Sequence, residues 1–212
     1  GLPQKEGKIT AAQVRAAVEA HKADDSFEHI VRPGMVYVSH PTELGTLYTR
    51  QELQELSDTC HELGLPLFVD GARLGYALTA VENDMTMADI ARLCDVFYIG
   101  GTKVGALFGE AVVISNPALA EDFRYLTKQH GAMLAKGRLL GIQFECLFAD
   151  NLYFDIARRA NQLADRIRQT LADCGISLYV PGCTNQIFAV LPNDAMAKLG
   201  NEFSFNEFMN SH

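Results

Sequence analysis

A strand, a helix and a second strand follow one another within 35 residues, from Met35 to Val69, and this unit limits what the chain can fold into. Met35-Val36-Tyr37-Val38 is a compact β-prone run behind the breaker pair Pro33-Gly34. Thr49-Arg50-Gln51-Glu52 fits a capping box, in which hydroxyl and carboxylate satisfy each other's backbone donors. The helix it opens carries Leu53, Leu56, Cys60 and Leu63 on one face and stops at Gly64. Leu67-Phe68-Val69 follows at once as an apolar strand. Two strands joined by a helical crossover must be parallel, with a right-handed connection.

The flanking chain extends this theme. Thr10 to His21 reads as a short helix capped by Thr10, with Val14, Ala17 and Val18 on one face. A mixed segment from Leu74 to Leu93 leads to the strand Val96-Phe97-Tyr98-Ile99, a glycine-punctuated turn and a further run, Ala111-Val112-Val113-Ile114. Asn116-Pro117 reads as an N-cap followed by a proline at the first helical position. Helical periodicity covers Ala118 to Phe148 and Tyr153 to Cys174, and Gly175 ends it. Ile176 to Val180 and Ile187 to Leu191 read as two antiparallel strands. The expected architecture is α/β: a mostly parallel sheet covered by helices over residues 1–149, then a smaller α+β piece over 150–212. A parallel sheet needs neighbours for each internal strand and helices on both faces, so three such strands read as part of a larger sheet. The run from Asn206 to His212 reads as the start of another element, so both domains are expected to be incomplete.

Composition removes several classes of function. The 212 residues are 48% hydrophobic and 21% charged, as in an ordinary globular protein. With 26 acidic against 18 basic residues, there is no general electrostatic attraction for nucleic acid. No apolar stretch approaches the roughly 20 residues a membrane helix needs, and the N-terminal residues lack the pattern of a signal peptide. Five scattered cysteines without a C-x-x-C pair fit free thiols and a cytoplasmic setting. The six histidines show no metal-ligand spacing.

In open parallel sheets ligands bind beyond the carboxyl ends of the strands. Three polar clusters lie there: His40-Pro41-Thr42-Glu43, Asp70-Gly71-Ala72-Arg73 and Gly100-Gly101-Thr102-Lys103. Neighbouring strands are only ~4.8 Å apart, so these side chains can converge on one small molecule. Singly each residue is ordinary: Asp70 a helix-capping turn residue, Lys103 a solvated turn lysine, Arg73 a salt-bridge partner. Together, Asp70 and Lys103 can grip opposite ends of a pyridine ring, the lysine joining an aldehyde and the carboxylate keeping the ring nitrogen protonated. Arg73 offers a bidentate fork for an α-carboxylate. The Thr102 hydroxyl serves either a ligand or the turn, and Gly71, Gly100, Gly101 and Gly105 fit tight turns and close approach to a planar ligand, two compatible readings.

The runs Leu67-Phe68-Val69-Asp70-Gly71-Ala72-Arg73-Leu74 and Asp95-Val96-Phe97-Tyr98-Ile99-Gly100-Gly101-Thr102-Lys103 resemble the low-specificity threonine aldolases. These belong to the β-eliminating lyase group of fold-type I pyridoxal phosphate enzymes, in the aspartate aminotransferase superfamily. Thr42 to Thr49, Lys128 to Arg138 and Asp150-Asn151-Leu152-Tyr153 fit the same resemblance, in the same order along the chain. It implies that Lys103 binds the aldehyde of pyridoxal 5'-phosphate, Asp70 partners the pyridine nitrogen, Ala72 packs under the ring and Thr102 lies beside the cofactor. Arg73 then holds the substrate carboxylate. Glu43 stands where many relatives place a histidine, which leaves the base for the β-hydroxyl open between this carboxylate and another group. The implied reaction is cleavage of the Cα–Cβ bond of threonine-type β-hydroxy amino acids to glycine and an aldehyde, in a homodimer or homotetramer. Members of the family are longer, with a phosphate-holding N-terminal part and a second carboxylate-binding arginine beyond these residues. The competing readings are a β-eliminating lyase or aminotransferase on the same fold, and a catalytically incomplete fragment of such an enzyme.

Overall fold

The computed structural model describes residues 1–204, so the element expected after Asn206 lies outside the described residues. Helix α1 (Ala11–Ala23) begins in a capping box, in which the Thr10 side chain accepts from the Gln13 amide and the Gln13 side chain accepts from the Thr10 amide. Strand β1 (Val36–Ser39) leads to helix α2 (Arg50–Glu62), which opens on the expected box of Thr49 and Glu52. Gly64, at φ +69°, turns the chain out of α2 in a conformation that disfavours other residues. Strand β2 (Leu67–Asp70) follows, then helices α3 (Leu74–Thr79) and α4 (Met87–Leu93). The α4 helix begins in a further capping box, between Thr86 and Asp89, that the sequence reading left inside a mixed segment. Strand β3 (Val96–Gly100) and strand β4 (Glu110–Ile114) complete the sheet.

The sheet runs β1-β2-β3-β4. The first two pairings are parallel, with Val36 to Ser39 facing Leu67 to Asp70, and β4 returns antiparallel to β3. Alternation then decides burial. Val36, Val38, Leu67, Val69, Phe97 and Ile99 enter the core, where they meet Leu53, Leu56, Leu74 and Ile90 from the helices. The opposite face carries Tyr37, Phe68, Tyr98 and Val112, of which Tyr37 is 50% and Val112 54% exposed.

Two expectations change in the second half. The helical stretch from Ala118 to Phe148 is divided into a 3-10 turn at Pro117–Leu119, helix α5 (Phe123–Gln129) and helix α6 (Arg138–Phe148). Gly131, at φ +69°, turns the backbone left-handed between α5 and α6, which periodicity alone does not reveal. The two C-terminal strands reduce to one antiparallel bridge, Leu178 with Ala189, flanked by Tyr179 N–H to Phe188 O (2.8 Å) and Val190 N–H to Ser177 O (2.9 Å). The ladder stops because Pro181, two residues after Tyr179, has no N–H to donate, and the Gly182 amide turns back to Val180 O (2.8 Å). A 3-10 turn (Ala149–Asn151), helix α7 (Leu152–Asp173) and helix α8 (Asn193–Leu199) are the other elements of this half.

Helix α7 is fixed to the sheet by Tyr153, which is fully buried. Its hydroxyl accepts from the Gly75 amide (3.1 Å) and donates to Gly100 O (3.1 Å), tying α3 and the end of β3 to α7. Gly75 makes room for the ring, since a Cβ there would stand 2.8 Å from it. Tyr153→Phe leaves both backbone groups without this partner and should cost roughly 1–3 kcal/mol. Equilibrium urea unfolding measures this, and a loss below a few tenths would show the hydroxyl to be dispensable.

Candidate active site

The parallel strands deliver the three polar clusters to one edge of the sheet. The His40 amide donates to Asp70 O (2.8 Å), carrying the β1–β2 ladder one residue beyond β1, and the Gly100 amide donates to Gly71 O (2.8 Å). Asp70 is the last residue of β2, and Lys103 lies three residues beyond the end of β3. The Asp70 carboxylate accepts from the Ala72 amide (2.9 Å) through one oxygen and from the Tyr37 hydroxyl through the other. Burial, and after it the Asp70 carboxylate, push the Tyr37 hydroxyl up to about 12, and the same two causes raise Tyr98. Both phenols therefore stay protonated and available as donors to Asp70.

Arg73 and Glu43 meet across the edge, with Nη1 3.4 Å from Oε2. The exposed loop after β3 is held by its own partners. Glu110 accepts from the Gly101 amide (2.6 Å) and from the Thr102 hydroxyl (3.3 Å), and the Tyr76 hydroxyl donates to Lys103 O. The Lys103 side chain itself is in solvent. Of the sequence candidates, the structure pairs Arg73 with Glu43, joins Asp70 to Ala72, and sets Thr102 and Lys103 on a braced loop at the same edge.

The glycines at this edge meet neighbouring backbone. A Cβ at Gly71 would stand 2.0 Å from Tyr98 O, and one at Gly100 would stand 2.1 Å from Ala72 O. Gly101 faces Gly109 O, and Gly105 faces Ile156 and Leu147. The chain itself fills the space where a Cβ would stand, so these glycines serve backbone crossing. A cleft of about 530 Å³ between α1 and α2 and a cavity of about 340 Å³ beside Phe27 and Arg32 are lined by none of the candidates.

The family model of beta-eliminating lyases matches residues 1–193. The chain belongs to that family. A low specificity L-threonine aldolase of Pseudomonas aeruginosa is 36% identical over 194 residues, which cover 91% of this chain and 55% of that protein. A solved threonine aldolase of Leishmania major is 49% identical with a TM-score of 0.89, covering 95% of this chain and 58% of that one. The chain thus spans just over half the length of these relatives. At 17% identity and a TM-score of 0.60, an L,L-diaminopimelate aminotransferase of Chlamydomonas reinhardtii shares the fold, over 79% of this chain and 46% of that one. The fold is accordingly the α/β fold of type I pyridoxal phosphate enzymes.

The residues present fit that cofactor by the chemistry of their donors. A carboxylate already holding two donors stands at one strand end, and an exposed primary amine stands on a braced loop beyond the next. Among the described residues no group of three or more His, Cys, Asp or Glu is arranged to hold a metal ion, and no helix is long and apolar enough to cross a membrane. Sequence reasoning missed Tyr37, Tyr98, Glu110 and Tyr76. Strand alternation was a usable signal for two of them, since Tyr37, Asp70 and Tyr98 all leave the sheet on the face opposite the core. Glu110 and Tyr76 carry no local signature, because their partners lie 9 and 27 residues away.

His40, at the start of the Glu43 loop, is fully buried, and neither ring nitrogen has a hydrogen-bond partner among the described residues. Burial pushes its pKa from 6.5 down to about 4. The unfolded chain therefore takes up a proton between these values that the fold resists, so stability present at neutral pH is lost as pH falls through this window. This group alone should make the protein about 2 kcal/mol less stable at pH 5 than at pH 7. His40→Leu should remove that share, as read by urea unfolding at both pH values. An unchanged pH dependence in the variant would place its origin elsewhere.

Proposed function

We propose that the whole protein is a pyridoxal phosphate-dependent aldolase that cleaves β-hydroxy amino acids of the threonine type to glycine and an aldehyde. The observation that carries this reading is the Arg73–Glu43 pair at the sheet edge shared by Asp70 and Lys103. A guanidinium suited to an α-carboxylate stands within 3.4 Å of a carboxylate able to take a proton from the neighbouring β-hydroxyl. When bound, the cofactor supplies an aldehyde for the amine and a pyridine ring that draws electrons from Cα. The chain's own residues do the rest. Asp70 would hold a proton on the ring nitrogen, Ala72 would offer the ring a small side chain, and Thr102 would offer the cofactor a hydroxyl. Arg73 fixes the substrate carboxylate and so orients the Cα–Cβ bond. Glu43 accepts the β-hydroxyl proton as that bond breaks, the hydroxyl-bearing carbon leaves as an aldehyde, and Cα later regains a proton to give glycine. Threonine aldolases among the relatives, at 36% and 49% identity, support this chemistry over elimination or transamination.

In the whole holoenzyme, threonine should yield glycine and acetaldehyde, and borohydride should fix the cofactor to Lys103. Recovery on Lys128 or Lys136, or release of a keto acid instead, would reject the assignment. Glu43→Gln should slow threonine cleavage by about 10²-fold or more, the usual share of a general base. Exchange of the α-proton of glycine should persist, because glycine has no β-hydroxyl. If both activities fall together, Glu43 is not the hydroxyl base.

The same reading takes residues 1–149 as part of the large cofactor-binding domain and 150–212 as part of a small α+β domain, in a cytoplasmic homodimer or homotetramer. The segment from Ala118 to Phe148 supports the assembly. Tyr125 is 76%, Leu134 60% and Leu139 54% exposed, large apolar side chains that a partner copy would cover. Sedimentation of the whole protein at micromolar concentration should show a dimer or larger species. Tyr125→Glu combined with Leu134→Glu should shift it toward monomer, and a monomeric, fully active wild type would refute the interface.

A further inference from the structure

We infer that Gln186 is a positioning residue for Glu43, acting across 143 residues of sequence by holding the backbone from which this carboxylate projects. The inference rests on the reading of Glu43 as the hydroxyl base. The Gln186 side-chain amide donates to Glu43 O (3.0 Å), a hydrogen bond to the main chain of that very residue. Around it the loop after β1 and the turn at 182–186 interlock. The Cys183 amide and the Thr184 hydroxyl both donate to Gly45 O, at 3.1 and 3.3 Å. Glycine permits the contact on each side. Gly45 lies at φ +79°, where a Cβ would stand 3.0 Å from Thr184 Oγ1 and 3.2 Å from Gln186 Cβ, and a Cβ at Gly182 would stand 3.1 Å from Leu44 O.

The turn is itself anchored. Thr184 is fully buried, and its carbonyl accepts from Arg168 of α7 at 2.6 Å, while Arg168 pairs with Asp165 at 2.6 Å. On the other flank Thr42 and Thr46 share a buried hydroxyl contact of 2.7 Å, and the Thr46 hydroxyl donates to Glu6 O (2.7 Å). The loop is thus clamped from both ends of the chain, while the Glu43 side chain stays 64% exposed. A fixed backbone with an exposed carboxylate is the arrangement a proton acceptor needs, because only the side chain then has to move between Arg73 and a substrate hydroxyl. The clamp has enough other hydrogen bonds to keep the loop folded without the Gln186 amide. Its loss should therefore be felt in the aim of Glu43 rather than in stability.

The test uses the whole holoenzyme with Gln186→Met, which keeps the length of the side chain and removes the donor, and Gln186→Glu, which sets an acceptor against the Glu43 carbonyl. Loss of one neutral hydrogen bond should lower kcat for threonine cleavage about tenfold with Gln186→Met, and at least as far with Gln186→Glu. Glycine α-proton exchange and the glycine dissociation constant should stay within about twofold of wild type, and in a Glu43→Gln background Gln186→Met should add less than about twofold, because the group it aims is gone. An unchanged cleavage rate, a parallel fall in exchange and cleavage, or a tenfold loss added to that of Glu43→Gln would each overturn the positioning role. If Glu43→Gln alone depresses exchange and cleavage together, the base assignment fails, a result recognisable before any Gln186 variant is made.

Discussion

Parallel pairing of β1, β2 and β3 is the constraint on which the other features depend. Strands that run the same way end at the same edge, so the residues after Ser39, Asp70 and Gly100 leave the sheet side by side. At that edge the backbones cross at contact distance. Gly71 lies against Tyr98 O and Gly100 against Ala72 O, so tightly that any side chain would collide with a carbonyl. The positions of Asp70 and of the Lys103 loop are therefore set by main chain packed on main chain, the least compliant contact a protein offers. The apolar face built by the same strands buries the crossover helices and gives this edge a rigid base.

Elements distant in sequence then brace what the strands present. Tyr153 of α7 bonds both Gly75 and Gly100, so α7 meets α3 and the last residue of β3 through a single hydroxyl. Glu110 of β4 and Tyr76 of α3 hold the loop that carries Lys103. The turn near Gln186 holds the loop that carries Glu43. In the last two cases a polar side chain bonds to the main chain of a loop bearing a reactive group, while the Lys103 and Glu43 side chains themselves stay exposed. Such bonds fix the direction of a side chain at a net worth of only about 1 kcal/mol each, which suits positioning better than bulk stability.

Much of this could be read without coordinates. The N-cap at Thr10, the capping box at Thr49, the three parallel strands and the break at Gly64 follow from local chemistry, since a cap or a left-handed turn depends on residues a few positions apart. The carboxyl-edge clusters were legible for the same reason: strand ends can be placed from the sequence, and parallel pairing puts those ends together. The break between α5 and α6 was not legible, because Gly131 sits in an otherwise helical pattern and its left-handed backbone is a matter of where the next helix must go. The C-terminal strands were overestimated, since Pro181 offers no N–H to continue the ladder and the Gly182 amide turns back to Val180 O.

The sequence by itself therefore determined the order of the elements, the parallel topology, and the identities of Asp70, Arg73, Lys103 and Glu43 as candidates. It did so because helix caps, strand runs and turn residues act over short distances. Only the tertiary structure decided which carbonyls the edge glycines meet, that Tyr37 donates to Asp70, and that Arg73 meets Glu43. It alone joined Gln186 to a loop 143 residues earlier. Those facts are contacts between segments far apart in the chain, and their geometry exists only once the shared core has fixed where each segment lies.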